Sequence, residues 1–326
     1  MNYDVMGDIH GHAGALVALL EKLGYRERAG TYRHPDRTAV FVGDFIDRGP
    51  EQVKSVMLVR RMVDSGSGLA VMGNHELNAI AWFLPDPDAP GEFLRRHVSE
   101  KYGDKNRKQH ARFLAEVHGR PALHQEIVEW FLTLPLWLEF PELRIVHACW
   151  HPRFMEYLSP RLGPDARLTR ELMVPATREP LDDAEKDTPE PTIFKAVEAL
   201  TKGIEIPMPD GLTFRDKDGH VRDRVRVRWW DERATTYRAA ALLTPEERAA
   251  LPEMPIPLHA RIGYTDGKPV FVGHYWFTDR PAPLAPNAAC LDYSIGKEGR
   301  LCAYQWDGEP ALDASKFVSV GPNGAP

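Results

Sequence analysis

The sequence predicts an α/β protein in which two mixed β-sheets pack face to face with helices outside, a single domain carrying two insertions. Three observations predict it. The N-terminal part alternates short apolar runs with helical periodicity, the C-terminal part is rich in short strand-like runs, and four of the apolar runs end on a glycine followed at once by Asp, Asn or His.

Apolar residues at 3–6 predict a strand, and Leu16, Leu19, Leu20 and Leu23 fall on one face of a helix expected over 12–23. A second strand is expected at 39–42, a helix at 51–63, a third strand at 69–72 and a helix from His75. This βαβαβ order implies parallel pairing. Residues 84–121 turn charged and helical without a matching strand, which marks an inserted cap. A helix over 122–133 should lead into strands at 136–140 and 143–147. The Pro- and charge-rich stretch of about 155–220 reads as a second insertion with a helix near 193–201. Strands are then expected at 221–230, 260–264, 270–275, 288–293 and 301–306, separated by turns such as Asp218-Gly219 and Asp266-Gly267.

Composition narrows the function classes. At 326 residues, 43% hydrophobic and 27% charged, the chain is long enough for a large buried core and is neither disordered nor fibrous. A formal net charge of -6 argues against a nucleic-acid-wrapping protein, although a local basic pocket for phosphate remains compatible with it. Three scattered cysteines, Cys149, Cys290 and Cys302, form no C-x-x-C pair and suit a reducing compartment, so cytoplasm is expected. No apolar run is long enough to span a membrane, and the first residues run straight into a motif, so neither secretion nor a membrane partner is expected.

The chemistry lies where strands end. Gly7-Asp8-Ile9-His10-Gly11, Gly43-Asp44-Phe45-Ile46-Asp47-Arg48-Gly49, Gly73-Asn74-His75-Glu76 and Gly273-His274 each place a small residue before a ligand-type side chain, and Val146-His147 is a fifth such end without the glycine. Parallel strands bring these ends to one edge of a sheet. Asp8 and His10, two apart in extended chain, should point to one side. Like charges about 4 Å apart repel by roughly 4 kcal/mol at an effective dielectric near 20, so gathering Asp8 and Asp44 calls for cations. Carboxylate, imidazole and amide donors without thiolate suit manganese, iron or zinc better than calcium or magnesium.

The blocks G-D-x-H-G, G-D-x-x-D-R-G and G-N-H-E, followed by two isolated histidines, resemble the phosphoprotein phosphatase branch of calcineurin-like metallophosphoesterases, relatives of the symmetrical diadenosine tetraphosphatases. The resemblance implies that Asp8, His10 and Asp44 hold one divalent ion and that Asp44, Asn74, His147 and His274 hold a second, manganese first among the options, with a hydroxide shared by both ions attacking phosphorus. It implies that His75 protonates the leaving oxygen, that Asp47 orients His75, and that Arg48 binds phosphate. A second phosphate-binding arginine is expected late in the chain, where Arg226 and Arg228 are the two options and Arg228 is preferred. The expected substrate is a phosphate monoester on a protein or a small molecule, and the alternative is a dinucleoside polyphosphate. A catalytically silent scaffold fits less well, because no ligand or acid is missing. Where the family often has small residues after His147, this chain has Ala148-Cys149-Trp150-His151, and Tyr275-Trp276 follow His274, aromatics that either meet a substrate ring or fill the core.

Overall fold

A computed structural model describes residues 2–324 apart from 99, 179, 181, 210 and 216–218. The first sheet begins with β1 (Asn2–Met6), β2 (Arg37–Phe41) and β3 (Gly68–Ala70), all parallel. The second contains β4 (Trp137–Glu139) and β5 (Arg144–Val146). In the later half, β6 (Glu205–Pro207) and β7 (Arg224–Arg226) form a separate antiparallel pair. They are followed by β8 (Val270–Val272), β9 (Ala288–Cys290), β10 (Asp292–Tyr293), β11 (Arg300–Trp306) and β12 (Phe317–Val320). The first sheet runs β10-β11-β1-β2-β3, with β12 also on β11, and the second runs β9-β8-β5-β4.

Strand periodicity explains how the layers close. Alternate residues of a strand face opposite ways. Tyr3, Val5, Val40 and Val42 of the first sheet meet Ile145, Phe271 and Ala289 of the second in one apolar cluster between the sheets. Their neighbours Met6, Ala39, Phe41, Val146, Val270, Val272 and Cys290 face outward into a larger cluster with the helices. There α1 (Ala13–Lys22) brings Leu16, Leu19 and Leu20, and α2 (Gln52–Asp64) brings Val56, Val59 and Met62. The second sheet is covered by Ala196, Val197 and Leu200, carried on a helix over Ile193–Lys202. β8 is buried on both faces, which is why it reads as an unbroken apolar run.

Between the sheets in sequence lie α3 (Asn74–Phe83), α4 (Glu100–Val117) and α5 (Pro121–Phe131). α4 is the helix of the expected cap. It turns His110, Phe113 and Val117 inward, 1%, 1% and 4% exposed, at helical spacing. The Lys105, Arg107 and Lys108 side chains of the same helix face solvent.

Several expectations are corrected. The strand expected over 221–230 stops at Arg226, because Val227 to Trp230 turn away to bury Trp229 and Trp230. Residues 260–264 form no strand; Ala260 closes a short 3-10 turn that starts at Leu258. The run 288–293 breaks at Leu291, whose two sides pair in different sheets. Asp218 of the Asp218-Gly219 turn lies outside the described residues. β12 and a hairpin of Arg26–Arg28 with Thr31–Arg33 were not legible in the pattern. A small separate apolar core joins Ile206, within the stretch expected as the second insertion, to Val225, Tyr237, Leu251 and Ile256 beyond its expected end. Among the described residues no helix is long and apolar enough to cross a membrane.

Candidate metal centre

The loops leaving β1, β2, β3, β5 and β8 converge at one point. Asp44 Oδ2 lies 3.8 Å from His10 Nε2, 3.9 Å from His75 Nε2 and 3.4 Å from His147 Nε2. Asn74 Oδ1 is 2.8 Å from His274 Nδ1 and 3.2 Å from His147 Nε2, and Asp8 Oδ2 is 4.0 Å from His10 Nε2. All six expected ligands are thus brought together and all are buried.

Backbone geometry makes this possible at a cost in strain. His10, Asp44, Asp47, Arg48, His274 and Trp276 have φ of 46°, 53°, 70°, 72°, 70° and 56°, the left-handed region that side-chain-bearing residues seldom enter. The extended-chain argument for Asp8 and His10 therefore fails in detail: a turn at His10, rather than strand alternation, aims the imidazole. The glycines permit the close approach. A Cβ on Gly273 would stand 2.0 Å from Asp8 Oδ1, and one on Gly73 would stand 2.2 Å from Asp44 Oδ1.

A set of buried acceptors fixes the ligands. His10 Nδ1 donates to the Ile46 carbonyl at 2.9 Å and His147 Nδ1 to the Val42 carbonyl at 2.7 Å, which turns each Nε2 towards the centre. Asp8 Oδ2 accepts from His274 N at 3.0 Å, and Asp44 Oδ1 accepts from His75 N at 3.0 Å. Glu76, which the sequence reading left without a role, accepts from Asp44 N and Phe45 N at 2.8 Å each and from Gly73 N at 3.0 Å.

The charges are poised for cations. Burial, with Asp292 and Asp44 nearby, pushes the Asp8 carboxyl well above its ordinary range. Burial and the neighbouring His75 push His10 down to about 3, and burial likewise holds His274 well below its ordinary value, so both imidazoles are neutral as metal ligation requires. Asp8 Oδ1, His10 Nε2 and His274 Nε2 are buried and have no hydrogen-bond partner among the described residues. Such orphaned acceptors are costly unless something binds them. The donor set fits a pair of divalent cations.

Beside the centre, His75 Nδ1 donates to Asp47 Oδ2 at 2.5 Å. Burial alone would lower the His75 imidazole, but Asp44 and Asp47 outweigh it and hold it above its ordinary value. Arg48 is exposed and lies 3.9 Å over the ring of Trp276, with Lys297 Nζ 5.0 Å from the same ring. Trp276 is half-buried, 5.7 Å from the His10 ring. Of the two late arginines, Arg226 has its charge felt at His274. Arg228 instead stands 3.5 Å from Asp231 and feels Arg248 and Arg233. Arg226 likewise stands 3.4 Å from Glu205, so each arginine has a carboxylate neighbour, and the Arg226 charge is the one felt at His274. Cys149 and Trp150 are buried, and Tyr275 is buried with its hydroxyl donating to the Ala148 carbonyl, so these fill the core. The sequence reading missed His110, whose Nδ1 donates to Asp47 Oδ2 at 2.7 Å; a lone histidine in a charged helix offers no pattern.

The description of calcineurin-like phosphoesterases matches residues 1–183, more than half of the 326-residue chain. The chain belongs to that family. Among curated relatives, bis(5'-nucleosyl)-tetraphosphatase PrpE [asymmetrical] of Halalkalibacterium halodurans is 34% identical over 151 residues, 45% of this chain and 57% of that protein. Its counterpart in Oceanobacillus iheyensis is 33% identical over 159 residues, 48% of this chain and 58% of that protein. The chain thus spans little more than half the length of these relatives. Among solved structures, a cold-active protein tyrosine phosphatase is 16% identical at a TM-score of 0.46, covering 99% of this chain and 79% of that one.

Proposed function

We propose that this calcineurin-like phosphoesterase hydrolyses phosphate monoesters with the help of two divalent cations, manganese first among them, in a reducing compartment. One observation carries the reading: Asp44 Oδ2 sits within 3.4 to 3.9 Å of three imidazole nitrogens in a fully buried cluster. Asp8, His10 and Asp44 would hold one cation, and Asp44, Asn74, His147 and His274 the other. When bound, the ions supply the Lewis acidity that activates water and neutralises phosphoryl oxygens.

The chain's own residues do the rest. Arg48 and Arg226 bind and orient the phosphoryl oxygens. His75, whose acid form is favoured by the Asp47 carboxylate on Nδ1, aims Nε2 at the leaving oxygen. As the oxygen of water bonds to phosphorus and the ester P–O bond breaks, the leaving oxygen takes the His75 proton, and the water proton passes to solvent.

A second substrate reading, a dinucleoside polyphosphate, is favoured by the Arg48 and Lys297 cations gathered at Trp276, which suit an anion longer than one phosphate. The names of the two curated relatives agree with it. Manganese-loaded protein should be assayed on p-nitrophenyl phosphate, phosphopeptides and diadenosine tetraphosphate, with chelator as control. Chelator-sensitive release of phosphate is expected, and faster turnover of the tetraphosphate than of every monoester selects the second reading. Folded, metal-loaded protein that cleaves none of them overturns both.

A further inference from the structure

α4 lies in the segment the sequence marks as a cap, yet it grips the Asp47 loop at two points. His110, 1% exposed, donates from Nδ1 to Asp47 Oδ2 at 2.7 Å, the oxygen that also takes the His75 Nδ1 at 2.5 Å. Farther along the helix, Glu116 accepts from Gln52 N at 2.7 Å and from Val53 N at 2.9 Å. Those are the first two amides of α2, where a carboxylate answers both the unpaired donors and the positive end of the helix. Gln52 in turn accepts from Asp47 N at 2.5 Å and donates to Gly49 O at 2.6 Å. The strained 47–49 turn is therefore tied to α4 through its carboxylate and through its backbone.

A third metal ion does not explain the cluster. Asp47, His75 and His110 offer ligand atoms within 4.8 Å of one another. The N···O separations of 2.5 and 2.7 Å are nevertheless hydrogen-bond lengths. Bonds of about 2.0–2.1 Å at tetrahedral angles would hold two zinc ligands roughly 3.3 Å apart. Asp47 Oδ1 has no hydrogen-bond partner among the described residues, so the two imidazoles on Oδ2 are what orient the carboxylate. The Asp carboxylate torsion is intrinsically broad and two-fold, and with one imidazole removed it has only the other to follow.

We propose that His110 is a positioning residue: by donating to Asp47 it locks the carboxylate so that His75 keeps its Nε2 aimed at the leaving oxygen, which makes the inserted helix part of the machinery for leaving-group protonation. The proposal rests on the phosphoesterase reading above and adds to it a residue outside the motifs.

The test compares wild type with His110→Leu, His110→Asn and His110→Gln, each manganese-loaded, on phosphate esters of graded leaving-group ability. General acid catalysis is typically worth ~10²–10⁴-fold, so misaiming the acid should lower kcat on phenyl phosphate about tenfold or more in His110→Leu. On 2,4-dinitrophenyl phosphate, whose leaving oxygen needs no proton, the loss should stay under about twofold, with KM and metal content unchanged. Asn carries an N–H where Nδ1 stood and should restore most of the rate. Gln carries its N–H where Nε2 stood and should not. If His110→Leu fails to fold, the Asn and Gln pair gives the same answer. Equal losses across all leaving groups, no loss on phenyl phosphate, or equal rescue by Gln and Asn would overturn the proposal. A wild-type protein inactive on every ester is a separate failure, seen in the reference protein, and it overturns the phosphoesterase reading instead.

Discussion

Replacing Gly273 by alanine tests why the strand ends carry glycine. The new Cβ would stand 2.0 Å from Asp8 Oδ1, 2.9 Å from Val42 Cγ2 and 3.1 Å from Asp8 Cγ. The Asp8 carboxylate has little room to yield, since its Oδ2 is held by His274 N at 3.0 Å and Gly273 N is itself tied to the His147 carbonyl at 2.8 Å. Overpacking of this kind costs about 1–3 kcal/mol, and at about 2–4 °C per kcal/mol for a domain somewhat smaller than this one the metal-free protein should melt lower by roughly 2–12 °C at most. A displaced ligand should also weaken metal binding, by about 10–100-fold on the scale set by lost supporting contacts. Differential scanning calorimetry of metal-free protein and calorimetric titration with manganese measure the two effects. Gly267→Ala serves as control, because a Cβ there meets nothing within 4 Å. A Gly273→Ala protein that matches wild type in both measurements refutes the idea that close approach to Asp8 is what demands glycine.

Two further predictions concern the groups beside the metals. The His75 imidazole is held above its ordinary 6.5, so its acid form, and the stability it contributes, are fully present below 6.5 and are lost as pH rises through the raised value. On poor leaving groups kcat should therefore fall on the alkaline side of 6.5, and Asp47→Asn, which removes one of the two carboxylates responsible, should move that fall to lower pH; an unmoved profile contradicts the pairing. Arg226→Ala should raise KM or lower kcat about tenfold or more, as expected for loss of a charge-assisted contact worth roughly 1.5–3 kcal/mol, while Arg228→Ala should change steady-state kinetics by less than about twofold. The reverse order would restore the preference drawn from sequence.

The site was more legible than the scaffold around it, and the reason is physical. Asp8, Asp44, Asn74 and His274 each follow a glycine because a Cβ at that position would strike a neighbouring loop or side chain, so the constraint is written beside the site residue itself. His110 acts on Asp47 from 63 residues away, and a contact made by folding leaves no local pattern. Arg226 and Arg228 fall on the same side of the strand expected over 221–230, so alternation alone does not separate them. Burial of Trp229, whose indole N–H donates to the Ala148 carbonyl at 3.1 Å, ends the strand early and turns Arg228 towards Asp231. In the same way, 288–293 reads as one strand, but the break at Leu291 divides it between two sheets.

Counting bound metal per chain, by equilibrium dialysis and elemental analysis of wild type and Asp44→Asn, tests the central claim most directly. Asp44 faces both halves of the centre, so wild type should take up two manganese ions per chain and the folded Asn variant fewer than one. Wild-type protein that is folded yet takes up no transition ion, or a variant that keeps both ions, contradicts the account.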